Sequence, residues 1–99
     1  MSIRNEEEAE RKRDVYVYSF SKMSYSMKNE AIDTIKRAFN LHEYDQHRSE
    51  YIRDHFDYAY EKSWHCVIGR TLCNNVYYSN NDFMCSYIGN REMLLFRRG

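Results

Sequence analysis

The hydrophobic pattern of this chain changes abruptly after Lys62, and that change constrains the fold more than any other feature. Before it, apolar residues recur at helical spacing in two consecutive stretches. After it, short β-branched and aromatic runs are separated by glycine and asparagine. Two helices followed by short strands, in a chain without proline, predict one α+β domain.

Both helices are predicted from a start signal and an apolar stripe. The first begins after Ser24 or Ser26, either of which is a suitable N-cap, and ends near residues 40–42. The second has Asp45 as its predicted N-cap. The first stripe consists of Met27, Ala31, Ile35, Ala38 and Phe39, and the second of Tyr51, Ile52, His55, Phe56, Ala59 and Tyr60.

Five strands are predicted around these helices. They cover residues 15–20, 64–68, 72–79, 83–88 and 91–97. Asn80-Asn81-Asp82 is a turn by composition, and Gly89-Asn90 is a two-residue hairpin signal because glycine adopts positive φ. The predicted order is therefore β-α-α-β-β-β-β, with both helices packed on one face of an antiparallel sheet.

The segment 72–79 lacks the alternation that would bury one face of a strand. It combines Leu72 and Val76 with the polar residues Asn74 and Asn75. Such a strand is either an exposed edge that pairs with another chain or an ordinary internal strand, and the pattern alone favours neither. If it is an edge, pairing would form a dimer, bind a peptide, or both.

Size and charge exclude several classes of protein. With 99 residues and a net charge of zero, the chain has room for one domain, and a monomer would be marginally stable. Residues 1–14 are rich in charge and predict a mobile tail, which leaves 15–99 as the domain. The balanced charge predicts neither nucleic acid nor membrane as a partner.

The cysteines and histidines give little sign of catalysis. Cys66, Cys73 and Cys85 form no C-x-x-C pair, and we expect reduced thiols in an intracellular protein that binds no metal and no cofactor. His65 and Cys66 are adjacent on a strand, so their side chains point to opposite faces. A small Cys/His thiol enzyme that uses other pairs remains the alternative from a different class.

The residues W-H-C-V-I-G-R at 64–70 and L-L-F-R-R-G at 94–99 resemble a known family. They are similar to the smallest dynein light chains, the dimeric hub type, and the resemblance runs without gaps over residues 15–99. Phe83, Tyr87, Gly89 and the Met23-Ser24 helix start also match.

This resemblance implies a non-catalytic, strand-exchanged homodimer. In the family, the strand matching 72–79 joins the sheet of the partner subunit, and two grooves accept extended client peptides by strand addition. The implied clients are dynein intermediate chain and other linear-motif proteins, in microtubule-based transport at the cytoplasmic cytoskeleton. The alternative within the fold is a diverged axonemal paralogue, in a cilium or flagellum, with private clients.

The resemblance also assigns residues by position. It places Asp45 and Gln46 where the family holds a client glutamine. The groove would be lined by Thr71, Leu72, Cys73, Asn74, Asn75, Val76, Tyr77 and Tyr78, above a floor of Phe83, Cys85, Tyr87 and Leu94. The dimer interface would include His65, Cys66, Leu72, Val76 and Tyr78.

The groove departs from the family pattern although the scaffold follows it. The family usually has glycine at Cys73, tyrosine at Asn75 and at Cys85, and histidine at Tyr78, so we expect the usual Thr-Gln-Thr type of client motif to bind weakly or not at all. Further departures are Leu72, Asn74, Tyr77 and Gln46, where the family has phenylalanine, serine, threonine and lysine. Because a buried imidazole resists charging, we also expect acid to separate the subunits through His65.

Overall fold

The computed structural model describes residues 14–70, 72–73 and 82–97. In chain order the elements are β1 (Val15–Ser21), α1 (Tyr25–Leu41), α2 (Asp45–Tyr60), β2 (Trp64–Gly69), β3 (Asp82–Ile88) and β4 (Arg91–Arg97). The α+β class and the antiparallel pairing are confirmed.

Some expectations fall partly or wholly outside this range. Residues 72 and 73 of the predicted strand 72–79 are described and lie outside any strand. Residues 74–79 of that strand, residues 80–81 of the predicted turn, and residues 1–13 of the predicted tail lie outside the described residues.

The two helices begin differently. Ser24 is the N-cap of α1, and its hydroxyl accepts a hydrogen bond from the Met27 amide at 3.1 Å, which decides between the two candidate serines. The N-cap of α2 is Tyr44, which makes no side-chain cap bond, so the prediction of Asp45 as N-cap is wrong by one residue. Asp45 is the first helical residue, where a carboxylate still interacts favourably with the helix dipole.

The apolar stripe of α1 is confirmed more fully than that of α2. Ala31, Thr34, Ile35, Ala38 and Phe39 are buried in α1. In α2 the buried residues are Ile52 and Phe56. Ala59 is exposed, contrary to the predicted stripe. His55 makes a polar contact with α1, since its Nε2 lies 2.7 Å from Glu30 Oε2.

The four strands form an antiparallel sheet in the order β1-β3-β4-β2. β3 and β4 are joined by the predicted hairpin: Ile88 pairs with Arg91, and Gly89 has a φ of 59°. β1 carries a bulge, because Val17 pairs with Ser86 and Ser19 with Cys85, which leaves Tyr18 as the extra residue. Within the described part of the chain, β1 and β2 are the edge strands.

Both helices pack against one face of the sheet, as predicted, and Trp64 anchors that packing. Its side chain is 1% exposed, and its ring meets Phe56 edge-on with the centroids 5.0 Å apart. Its amide donates to Asp57 Oδ1 at 2.8 Å, and the Arg97 guanidinium lies 5.0 Å from its ring centroid. The core on this face comprises Met23, Ala31, Ile35, Ala38, Phe39, Ile52, Phe56, Trp64, Met84, Ile88, Met93 and Leu95.

Candidate functional site

The sheet face that the helices leave uncovered is the candidate site, and we call it the outer face. Because side chains alternate along a strand, β3 and β4 direct a second set of apolar residues away from the helices. Phe83, Cys85 and Leu94 form a separate buried cluster there, against which Cys73 and Phe96 pack. Three of the four residues predicted to form the groove floor therefore lie in one cluster.

The fourth predicted floor residue, Tyr87, belongs to an aromatic group beside that cluster. Its ring stacks on Tyr16 with the centroids 5.2 Å apart and meets Tyr18 at 5.1 Å. Tyr16 and Tyr18 are 54% and 58% exposed. The two β1 tyrosines extend the outer face, and our sequence interpretation missed them although their V-Y-V-Y alternation already indicates one shared face.

The β2 strand forms an open edge beside the outer face. Its residues pair with β4, from Trp64 with Arg97 to Gly69 with Glu92, and no other described strand lies along it. His65 points to the outer face, where its ring stacks on Phe96 with the centroids 5.1 Å apart. Cys66 packs against the core on the helix side. The prediction that these neighbours point to opposite faces is confirmed.

Glu92 holds the start of the predicted groove segment against the sheet. Its Oε1 accepts hydrogen bonds from the amides of Leu72 at 3.0 Å and Cys73 at 2.9 Å. These two donors lower the pKa of the Glu92 carboxyl below its ordinary value. Leu72 also folds back over Gly69: a Cβ atom at Gly69 would lie 3.5 Å from Leu72 Cγ.

Sequence reasoning missed Glu92 because its partners are 19 and 20 positions earlier in the chain. The other residues assigned to the groove lining, Thr71 and residues 74–78, lie outside the described residues.

Asp45 and Gln46 lie at the start of α2, and their surroundings differ. The Asp45 carboxylate contacts Arg48 at 3.3 Å and Arg91 at 3.5 Å. Arg48 also donates to the His42 carbonyl at 2.7 Å. The Gln46 side chain is exposed, and its amide lies 3.5 Å from Glu50 Oε2. Asp45 is therefore held by two arginines, whereas Gln46 faces solvent.

The thiols of the chain are held in their neutral form. Burial raises the pKa of Cys66 to about 12 and raises the pKa of Cys73 and of Cys85. A nucleophilic cysteine needs the opposite shift, because the thiolate is the reactive form. Among the described residues no group of three or more His, Cys, Asp or Glu side chains could hold a metal ion. No described helix is long and apolar enough to cross a membrane.

Comparison with known proteins gives consistent matches. Residues 16–98 match the family model described as dynein light chain type 1. A dynein light chain of Schistosoma mansoni is 31% identical over 77 residues, which cover 78% of this chain and 86% of that protein.

Solved structures share the fold. The dynein light chain-like domain of the Fasciola hepatica calcium binding protein FhCaBP2 has a TM-score of 0.75 at 16% identity, covering 91% of this chain and 96% of that one. The DLC-like domain of CsTAL3 has a TM-score of 0.69 at 13% identity, covering 84% of this chain and 90% of that one.

Proposed function

Because this chain belongs to the dynein light chain family, we propose that it is a non-catalytic, dimeric light chain that binds extended client peptides by strand addition. The observation that carries this proposal is the apolar outer face beside the open β2 edge. A sheet edge supplies main-chain hydrogen bonds to an added strand, and the adjoining face supplies side-chain contacts.

The outer face supports the dimeric part of the proposal. It carries two clustered sets of side chains, the Phe83, Cys85 and Leu94 cluster and the Tyr16, Tyr18 and Tyr87 group, and neither helix covers it. A second copy brought against this face would bury the exposed Tyr16 and Tyr18 rings beside the cluster that is already buried, and would so extend the core of a small domain. His65 would lie within such an interface.

The peptide-binding part rests on the same edge and on the groove residues assigned by resemblance. Dynein intermediate chain and other linear-motif proteins are the proposed clients, at the cytoplasmic cytoskeleton. Since Cys73 and Cys85 stand where the family has glycine and tyrosine, the preferred motif differs from the usual one. The raised pKa values of the three thiols support a non-catalytic role rather than that of a thiol enzyme.

Light scattering combined with a peptide array tests this function. We expect twice the 12.2 kDa chain mass and binding of a subset of extended peptides, including segments of dynein intermediate chain. Tyr77→Ala should weaken the best peptide by about tenfold while leaving the dimer intact. The matched control is Tyr58→Ala, since Tyr58 is 92% exposed on α2.

Two results would contradict the proposal. One is a monomer that binds no peptide and hydrolyses an ester or thioester, which would favour the enzyme alternative. The other is equal loss of peptide binding in the Tyr77→Ala and Tyr58→Ala variants, because Tyr58 is 92% exposed and is not among the residues assigned to the groove.

A further inference from the structure

Two of the three cysteines lie together on the outer face. Cys73 packs against the cluster that contains Cys85, and its Sγ lies 3.7 Å from the Met93 carbonyl oxygen. Both cysteines are free. Two cysteine side chains that pack in one cluster can reach disulfide geometry with little backbone movement.

Cys73 is held beside Cys85 by contacts that do not involve its sulfur. The Glu92 carboxylate binds the Cys73 and Leu72 amides, and Leu72 packs over Gly69. Cys85 is fixed in the centre of the sheet, paired with Ser19 on one side and Leu94 on the other. The fold therefore holds the two cysteines in one cluster before any covalent bond forms.

The two thiols differ in their access to a reagent. Cys73 is half-buried, whereas Cys85 is 1% exposed. A small disulfide from solution therefore meets Cys73 first, and Cys85 is placed to attack the product. Cys66 lies on the helix side of the sheet, away from both, and serves as an internal comparison.

We propose that Cys73 and Cys85 are a dithiol–disulfide pair that a low-molecular-weight disulfide of the glutathione class converts to an intramolecular disulfide. The Cys73 thiolate attacks one sulfur of the reagent, which forms a mixed disulfide and releases one thiol. The Cys85 thiolate then attacks the Cys73 sulfur and expels the second thiol. The protein loses two electrons and two protons, and the reagent gains them as two thiols.

The local charges make this exchange slow near neutral pH. Burial raises the pKa of both thiols, and the negative charge of Glu92, which faces them from β4, raises both further. Since the thiolate is the attacking form, the rate should rise continuously with pH through the alkaline range. The pair would therefore follow the ambient thiol–disulfide ratio over long times and would not respond to brief oxidant pulses.

Closing the disulfide would tie the start of the groove segment covalently to β3. If the proposed function holds, Cys73 lies in the peptide groove, so oxidation would change peptide affinity. That consequence rests on the proposed function, whereas disulfide formation does not.

Glutathione redox buffers of increasing oxidised fraction test the proposal on the full reduced chain. After incubation at about pH 8, acid quenching and alkylation, we expect a chain that has lost two hydrogens and carries one alkyl group, whereas the reduced chain carries three. A peptide map should show Cys73 joined to Cys85 and Cys66 alkylated. Cys66→Ser should behave as the unmodified protein, whereas Cys85→Ser should stop at glutathione bound to Cys73.

Glu92→Gln tests whether the Glu92 carboxylate helps to hold Cys73 beside Cys85. This variant binds the Cys73 amide more weakly, so the equilibrium between the dithiol and the disulfide should shift toward the dithiol by about fivefold. If serine disturbs the buried site, Cys85→Ala replaces Cys85→Ser.

Any of three results would overturn the proposal: an unchanged mass at the most oxidising ratio, a mixed disulfide that persists on Cys73 in the unmodified protein, or a disulfide between chains. Because the experiment measures only the masses of the chain and of its fragments, it tests disulfide formation even if the chain binds no client peptide.

Discussion

Ser86 is fully buried in the sheet, yet its hydroxyl has no hydrogen-bond partner among the described residues. An unsatisfied buried polar group lowers stability, so Ser86→Ala should raise the free energy of unfolding by about 1 kcal/mol. Denaturant unfolding with an unchanged m-value measures this difference.

Thr34→Val is the matched control for that substitution. Thr34 is equally buried, but its hydroxyl donates to the Glu30 carbonyl at 2.7 Å and accepts from Arg37 at 3.3 Å. Removing this satisfied hydroxyl should destabilise the protein, with the opposite sign. Loss of stability of the same size in both variants would show that the Ser86 hydroxyl is bonded in solution.

Glu92 should make stability depend on pH. Its folded-state pKa lies below the ordinary value of 4.5, so its contribution is full above that value and disappears as pH falls through the folded-state pKa. Glu92→Gln should therefore lower the free energy of unfolding by about 1 kcal/mol at neutral pH. The difference in unfolding free energy between the two proteins should shrink as pH falls through the folded-state pKa of Glu92.

Unfolding midpoints measured at several pH values check this, with Glu43→Gln as the exposed control. A constant gap between the Glu92→Gln variant and the unmodified protein across the acid range would show that the Glu92 carboxylate charge does not hold the Leu72 and Cys73 amides.

At the scale of the element, the start of α1 depends on one side chain. Ser24→Ala removes the acceptor for the Met27 amide and should cost about 1 kcal/mol. Ser26 is the second residue of α1 and is exposed, so Ser26→Ala should change stability little. Thermal or denaturant unfolding of both variants measures the difference, and equal effects would contradict the assignment of Ser24 as the cap.

Arg97 joins the end of β4 to three other elements. Its guanidinium pairs with Asp82 on β3, donates from Nη1 to the Tyr60 carbonyl at 2.7 Å, and lies over the Trp64 ring. A lysine ammonium cannot make these three contacts at once as the planar guanidinium does. Arg97→Lys should therefore lower the free energy of unfolding by about 1 to 2 kcal/mol.

Arg53→Lys is its control, because the Arg53–Asp54 pair is exposed and should contribute less than about 0.5 kcal/mol. Denaturant midpoints compare the two variants. A cost for Arg53→Lys as large as that for Arg97→Lys would mean that loss of the arginine itself, and not of the Asp82, Tyr60 and Trp64 contacts, lowers stability.

The elements that the sequence predicted well are those defined by local information. The last strand and its hairpin turn were predicted from a short apolar run and a glycine, and both were found at those positions. The bulge at Tyr18 and the Glu92 contacts escaped prediction because each depends on a partner strand or a distant amide. Of the groove, three of the four floor residues that the resemblance assigned cluster on one face, whereas their role and the lining residues Thr71 and 74–78 remain predictions.

At the scale of the whole molecule, the proposed dimer should not tolerate a fixed charge at position 65. A lysine ammonium in place of His65 would lie beside Phe96 on a surface that the dimer buries, so His65→Lys should sediment as a monomer at neutral pH.

His47→Lys, on the exposed start of α2, should sediment as the unmodified protein does. A His65→Lys variant that remains a dimer would show that His65 lies outside the interface.

The bulge in β1 bears on how many copies can assemble. Extra twist and one unmatched residue make the β1 border of the sheet a poor template for another strand, whereas β2 on the opposite border is regular. Growth of the sheet is thereby restricted to one direction. We therefore expect this fold to assemble into a closed complex with a fixed number of subunits and not into a fibre.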